Sequence, residues 1–323
     1  RAFVRCGDSA PFELVEVALG GLSGPHVVAR GPLAPEPPVF AAGPLPNGGK
    51  EPTGEVTASG ALVVQSAKAT HVVDTRPAGA LATSRSWHSA MPEQAAEDVF
   101  GRLWAVQATS SYDCGLDVFH AGREHVAAFA VDPVGGLDPL VAASRDERCV
   151  LRIAATGNGV ATVQWRGHGT SALITTHGLS PTGQASYSAS SALPRLFDGG
   201  GDADIVVDAT GLWLLVGHHV IRAVFDERGG AVPVTPDSDT VQGRRLAIVG
   251  PRAYVAGNPT NDSRFDPLVA LDISNPYTPT RRAASWSIGD GDVLGHGPWL
   301  LQVGGEALVR ILLPQAVRAP IEV

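Results

Sequence analysis

A chain of 323 residues with only 17% charged residues, 38 glycines and 25 prolines has many turns and little of the charge that solvated helical faces need. Its 44% hydrophobic content suffices for one large core or two ordinary ones, and no apolar run is long enough to span a bilayer. The formal net charge of −8, with no basic stripe beyond the isolated pairs Arg244-Arg245 and Arg281-Arg282, argues against a nucleic-acid partner.

The chain opens on Arg1-Ala2-Phe3-Val4-Arg5, which already reads as a strand. No initiator Met or signal peptide precedes it, as expected after removal of a leader or trimming of the start. A short apolar strand then recurs at 61–64, 103–106, 161–163, 212–215, 253–256 and 299–301. A second strand follows each, at 14–17, 71–74, 125–129, 172–175, 221–225, 268–272 and 308–312. These runs are too short for ordinary helices, and most are rich in β-branched residues. A preceding strand is legible at 150–153, 205–207 and 246–249. It turns into the next through Thr156-Gly157-Asn158-Gly159, Asp208-Ala209-Thr210-Gly211 or Gly250-Pro251-Arg252. Each unit is thus a small antiparallel meander, repeating at the length typical of a propeller blade. A single meander cannot cover both of its faces, and stacked neighbours can.

The expected fold is all-β: one β-propeller spanning residues 1–323, with seven blades and a Pro/Gly-rich loop at 31–52. Six or eight blades, or a two-domain β-sandwich, are the alternatives. Helices are expected only at Pro92 to Phe100 and around Ala192 to Phe197.

One unit carries a more specific pattern. Arg252 to Gly257, followed by Leu268-Val269-Ala270-Leu271-Asp272-Ile273-Ser274-Asn275-Pro276-Tyr277-Thr278-Pro279, resembles the LVIVD-type repeat of bacterial β-propellers. Fainter echoes are Val73 to Pro77 and Val131 to Pro133. The Asp, Ser and Asn side chains can bond the turn backbone, and the prolines restrict the exit from it. The resemblance implies a secreted, periplasmic or envelope protein. A cytoplasmic location is the other option.

Within a meander a-b-c-d, the a–b and c–d turns lie at one end and the b–c and d–a connections at the other. The first class reads as short. The second includes long stretches at about 108–124, 258–266, 86–98, 187–201 and 235–243, and long connections at one end of a rigid scaffold commonly carry function. His88, His120, His168, His218, His219, Asp98, Asp113, Arg148, Asp262, Arg264 and Asp266 are assigned to that end.

The function expected is a non-catalytic binding or scaffold module that takes a peptide, glycan or protein through the long-loop end. Trp87, Tyr112, Phe119 and Phe265 would supply apolar anchors, with His88, His120, His218 and Arg264 as polar contacts. The alternative is a hydrolase or lyase at the channel mouth. There His168 or His219 would act as base or metal ligand, and Asp262 or Asp266 would orient it. A purely structural envelope protein is the third reading. No cofactor is named by a motif. Asp198, Asp202 and Asp204 could contribute to a site for Ca2+ or another divalent metal, although turn formation explains them too. Cys114 and Cys149 would lie close enough to form a disulfide, whereas Cys6 reads as a small buried side chain.

Overall fold

A computed structural model of the chain describes residues 2–6, 13–18, 26–32, 54–57, 59–65, 70–76, 85–87, 92–108, 124–132, 136–140, 145–147, 150–166, 171–193, 203–235, 239, 241, 243–256, 267–286, 292–296, 299–304 and 307–312. These residues form seven antiparallel sheets, in each of which strands adjacent in sequence are neighbours.

The first sheet holds β1 (Ala2–Cys6), β2 (Glu13–Ala18) and β3 (His26–Pro32). The second holds β4 (Gly54–Val56), β5 (Ala61–Gln65), β6 (Thr70–Asp74) and β7 (Arg85–Trp87). The third holds β8 (Pro92–Glu97), β9 (Arg102–Ala108), β10 (Glu124–Asp132) and β11 (Gly136–Pro139), with β12 (Arg145–Glu147) also paired to β10. The fourth is β13 (Val150–Thr156), β14 (Gly159–Arg166), β15 (Ser171–Leu179) and β16 (Ala185–Ala192). The fifth is β17 (Ala203–Asp208), β18 (Gly211–Val216), β19 (His219–Phe225) and β20 (Ala231–Pro233). The sixth is β21 (Arg245–Val249), β22 (Arg252–Ala256), β23 (Pro267–Asp272) and β24 (Thr280–Trp286). The last holds β25 (Asp292–His296), β26 (Trp299–Gly304) and β27 (Ala307–Leu312). Two compact units divide the chain: Arg1–His168 with Thr176–Ser188, and Gly169–Thr175 with Ala189–Val323.

Every apolar run singled out in the sequence falls on a strand, in the order expected. The reason is visible in the core of each unit. In the first unit Leu103 and Ala105 of β9 pack with Ala61, Val63 and Val72 of the preceding sheet. Their neighbours Trp104 and Val106 pack on the opposite face with Val150, Val160 and Leu179 of the following sheet. The second unit repeats the arrangement: Ala253 and Val255 of β22 join Trp213 and Leu215, while Tyr254 and Ala256 join Val293 and Leu300. Alternate residues of one strand therefore enter two cores, so the run is apolar throughout.

Two expectations are corrected. Residues 92–97 form β8, and no helix is present there; 98–101 are a turn. Pro-Glu-Gln-Ala-Ala-Glu has helical propensity, but the ladder to β9 overrides it, with Ala95 opposite Ala105 and Ala96 opposite Trp104. Proline is tolerated because it opens the strand. Ala192 ends β16, so no helix begins there, and residues 194–197 lie outside the described set. The supposed connections at 86–98 and 187–201 shrink accordingly, since β7, β8 and β16 occupy much of them. Of the loop at 31–52, only the end of β3 is described.

Close packing fixes the outer part of the fourth sheet. A Cβ on Gly178 would fall 2.0 Å from Cε1 of Tyr187, whose ring lies across the bare backbone. Gly178→Ala is expected to lower unfolding stability by about 1–3 kcal/mol through overpacking. Chemical denaturation should show the loss vanish when Gly178→Ala is made in a Tyr187→Ala background. An equal loss in both backgrounds would refute the contact.

Candidate functional site

The short connections are locked by their own side chains. One five-residue turn closes four hairpins, beginning at Thr57, Asp98, Ser180 and Asp226. In each, the N–H of the fourth residue (Gly60, Gly101, Gly183, Gly229) donates to the carbonyl of the first at 2.9–3.0 Å. Those glycines have φ between 74° and 84°, which a residue with a Cβ rarely adopts. The side chain of the first residue accepts the N–H of the fifth: Ala61 to Thr57, Arg102 to Asp98, Gln184 to Ser180 and Gly230 to Asp226. A hydroxyl or carboxylate followed three residues later by glycine is the local code.

Asp98 is the most heavily used of these caps. Its buried carboxylate accepts Phe100 N–H, Arg102 N–H, Arg102 Nε at 2.7 Å and Trp104 Nε1 at 3.0 Å. Arg102 then reaches the carbonyls of Ser180 (2.7 Å) and Asn158 (3.0 Å), joining three turns of its unit through one guanidinium. Asp98 therefore lies at the short-turn end, contrary to its assignment to the long-loop end. The misplaced helix at 92–100 concealed the β8–β9 turn.

Other Asp–Arg pairs line short turns. Arg222 stacks over Trp213 at 5.1 Å and donates two hydrogen bonds to Asp208. Burial pushes the Asp208 carboxyl up, but Arg222 and the Thr210 N–H and hydroxyl outweigh it and hold the pKa at about 2. Asp272 is also held at about 2, first by the Ser274 hydroxyl and N–H, then by Arg282. The Asp272 and Asn275 side chains bond the turn backbone at Ser274 and Tyr277, as the Asp-Ile-Ser-Asn-Pro sequence suggested. Asp74 is lowered by Arg76 in the same manner.

The other class of connection runs much longer: 109–123 between β9 and β10, 234–244 between β20 and β21, and 257–266 between β22 and β23. The second of these is tethered along its course. Val234 N–H donates to Arg222, the Thr235 hydroxyl to Pro276 (2.6 Å), Val241 N–H to His218 (2.8 Å) and Arg244 N–H to Ala256 (2.8 Å). His218 and Gly217 form the two-residue β18–β19 turn, where Gly217 has φ 58°. Among the described residues, the buried His218 Nδ1 has no hydrogen-bond partner. A buried polar atom of that kind costs free energy unless something meets it.

His219 opens β19 beside His218 and is half-buried. Asp204 lies at the start of β17, where its two oxygens accept Ile205 N–H and Leu246 N–H, tying neighbouring inner strands. Trp87 ends β7. His88, Tyr112, Phe119, His120, Asp113, Arg148, His168, Asp198, Asp202, Asp262, Arg264, Phe265, Asp266, Cys114 and Cys149 lie outside the described residues. The structure therefore brings His218 and His219 together and leaves the other proposed members of the site unplaced. Among the described residues no group of three or more His, Cys, Asp or Glu could hold a metal ion. No helix among them is long and apolar enough to cross a membrane.

Sequence reading missed His177, which is buried on β15 with Nδ1 3.1 Å from the Ser188 hydroxyl of β16. It also missed Arg102 as a link between turns. Only the Asp-x-x-Gly-Arg spacing at 98–102 could have signalled it.

Asp98→Ala should lower stability by about 3–5 kcal/mol, because it strands the buried Arg102 guanidinium; a denaturant midpoint near that of the native chain would contradict this role. For Asp208, a lowered folded pKa means stability present above the unfolded value of about 3.9 and lost as pH falls toward 2. Denaturation midpoints measured from about pH 5 to pH 2 should therefore decline less steeply in Asp208→Asn than in the native chain. Identical slopes would remove the linkage.

No family model matches the chain, and no curated protein matches it. A crystal structure of puromycin hydrolase is similar at a TM-score of 0.50 and 15% identity, covering 94% of this chain and 51% of that one. Its S511A mutant complexed with PGG gives 0.49 at 15% identity, covering 93% and 50%. Sqt1 from Chaetomium thermophilum gives 0.45 at 11% identity, covering 78% and 79%. The chain thus spans about half the length of the puromycin hydrolase it resembles. At these identities the likeness is one of fold: an all-β, multi-bladed, propeller-like architecture built from antiparallel sheets.

Proposed function

We propose that this chain is a non-catalytic binding or scaffold propeller of seven blades, which recognises a peptide, glycan or protein partner through the end bearing its long connections. One contrast carries the reading. The short-turn end spends its polar side chains on its own backbone, whereas the 109–123, 234–244 and 257–266 connections all leave from the opposite end of their sheets. His218 supplies a buried imidazole nitrogen at that end with no internal partner among the described residues. The tethered 234–244 segment supplies a fixed wall beside it. Phe265 and Arg264, in the 257–266 connection, belong to the same proposal as an apolar and a polar contact. A secreted or envelope setting, a Cys114–Cys149 disulfide and kinship with LVIVD-type propellers complete it.

The test is a peptide and glycan array probed with the labelled chain, followed by affinities for the strongest hit. His218→Ala or Phe265→Ala should weaken that hit by about tenfold or more, as expected on truncating an anchor. Arg282→Ala, at the short-turn end, should leave it unchanged. Affinity lost only with Arg282→Ala would place recognition at the wrong end and refute the proposal.

A further inference from the structure

The outer strands of the sheets differ in how they guard their free edges. An unpaired edge offers a row of N–H and C=O groups to any passing strand, and proteins blunt it with charge, proline or brevity. Most outer strands here do so. β3 carries His26, Arg30 and Pro32; β24 carries Arg281 and Arg282; β27 carries Arg310. β7 and β20 have three residues each, and the four-residue β11 contains Asp138 and Pro139.

β16 has none of these guards. It runs for eight residues, Ala-Ser-Tyr-Ser-Ala-Ser-Ser-Ala, without charge or proline, and lies at the edge of its sheet. At about 3.3 Å per residue it offers roughly 26 Å of strand. Its register follows from three contacts: Leu193 N–H donates to Ala172, and the hydroxyls of Ser190 and Ser188 meet Thr175 and His177. Leu193 and alternate residues before it therefore turn their backbone groups toward β15. Ser186, Ser188, Ser190 and Ala192 turn theirs outward, and all four are exposed.

We infer that the edge of β16 receives an extended segment of another polypeptide as an added strand, recognised chiefly through its backbone. The chemistry favours this occupant. Four outward N–H and C=O sets match the spacing of a strand and of little else, and the small side chains of the exposed row leave no pocket to select a bulky residue. The absence of charge makes the contact insensitive to salt and tolerant of the incoming sequence. A second copy of this chain is the weaker candidate, since one strand pair buries far less than the roughly 1,200 Å² of a stable interface. This site lies on an outer edge and stands independently of the long-connection proposal.

The probe is a capped peptide of alternating Thr and Val with a Lys at each end, compared with the same peptide N-methylated at alternate residues. Hydrogen exchange should slow about tenfold or more at the Ser186, Ser188, Ser190 and Ala192 amides with the first peptide and not with the second. Ser186→Pro, which removes an outward donor, and separately Ala192→Lys should each abolish that protection. Neither touches a bond to β15, so unchanged protection of the inward amides serves as the folding control. Lack of protection at the four amides overturns the inference. So does equal protection by the N-methylated peptide, or a concentration-dependent dimer that Ala192→Lys dissolves.

Discussion

Everything in this chain depends on a sheet having two apolar faces to cover. A four-stranded meander with Trp104 and Val106 on one side and Leu103 and Ala105 on the other cannot be stable in water alone. Neighbouring sheets remove both surfaces from solvent, and the same pattern recurs at Ala253 to Ala256 in the second unit. Repetition of the meander follows from that need, as does the near-continuous apolar character of the middle strands. Because the sheets' middles are committed to packing, recognition falls to the connections and the outer edges.

This explains which parts of the fold were legible in the sequence. Runs such as Leu212-Trp213-Leu214-Leu215 and Ala253-Tyr254-Val255-Ala256 could be located because burial on both faces leaves no polar interruption. Tight turns such as 156–159 and 208–211 could be located because glycine and Asx chemistry mark them. The first and last strands of a meander were harder to see. β8 is Pro-Glu-Gln-Ala-Ala-Glu and β16 is mostly Ser and Ala, so neither shows the apolar or β-branched character of a strand. Pairing to a single neighbour decides their conformation, and that information lies elsewhere in the chain.

The candidate site was less legible, for a related reason. His218 and His219 could be placed at a hairpin because the sequence around them alternates cleanly. Asp98 was assigned to the wrong end because its turn follows a strand that reads as a helix. A chain in which short turns absorb most Asp and Arg side chains also makes charge a poor guide to function. Asp98, Asp208 and Asp272 are conspicuous in the sequence, yet each is engaged in holding backbone or an adjacent guanidinium.

Arg102 has a kinetic meaning as well as a structural one. The hairpins close over short loops, so they can form early and locally. The bonds from Arg102 to Asn158 and Ser180 span 56 and 78 residues and require two sheets to be already docked. They belong to the last part of assembly in their unit and the first part of its opening. The guanidinium thus acts as a latch on lifetime: it slows separation of the blades it joins while leaving the speed with which each blade forms largely untouched.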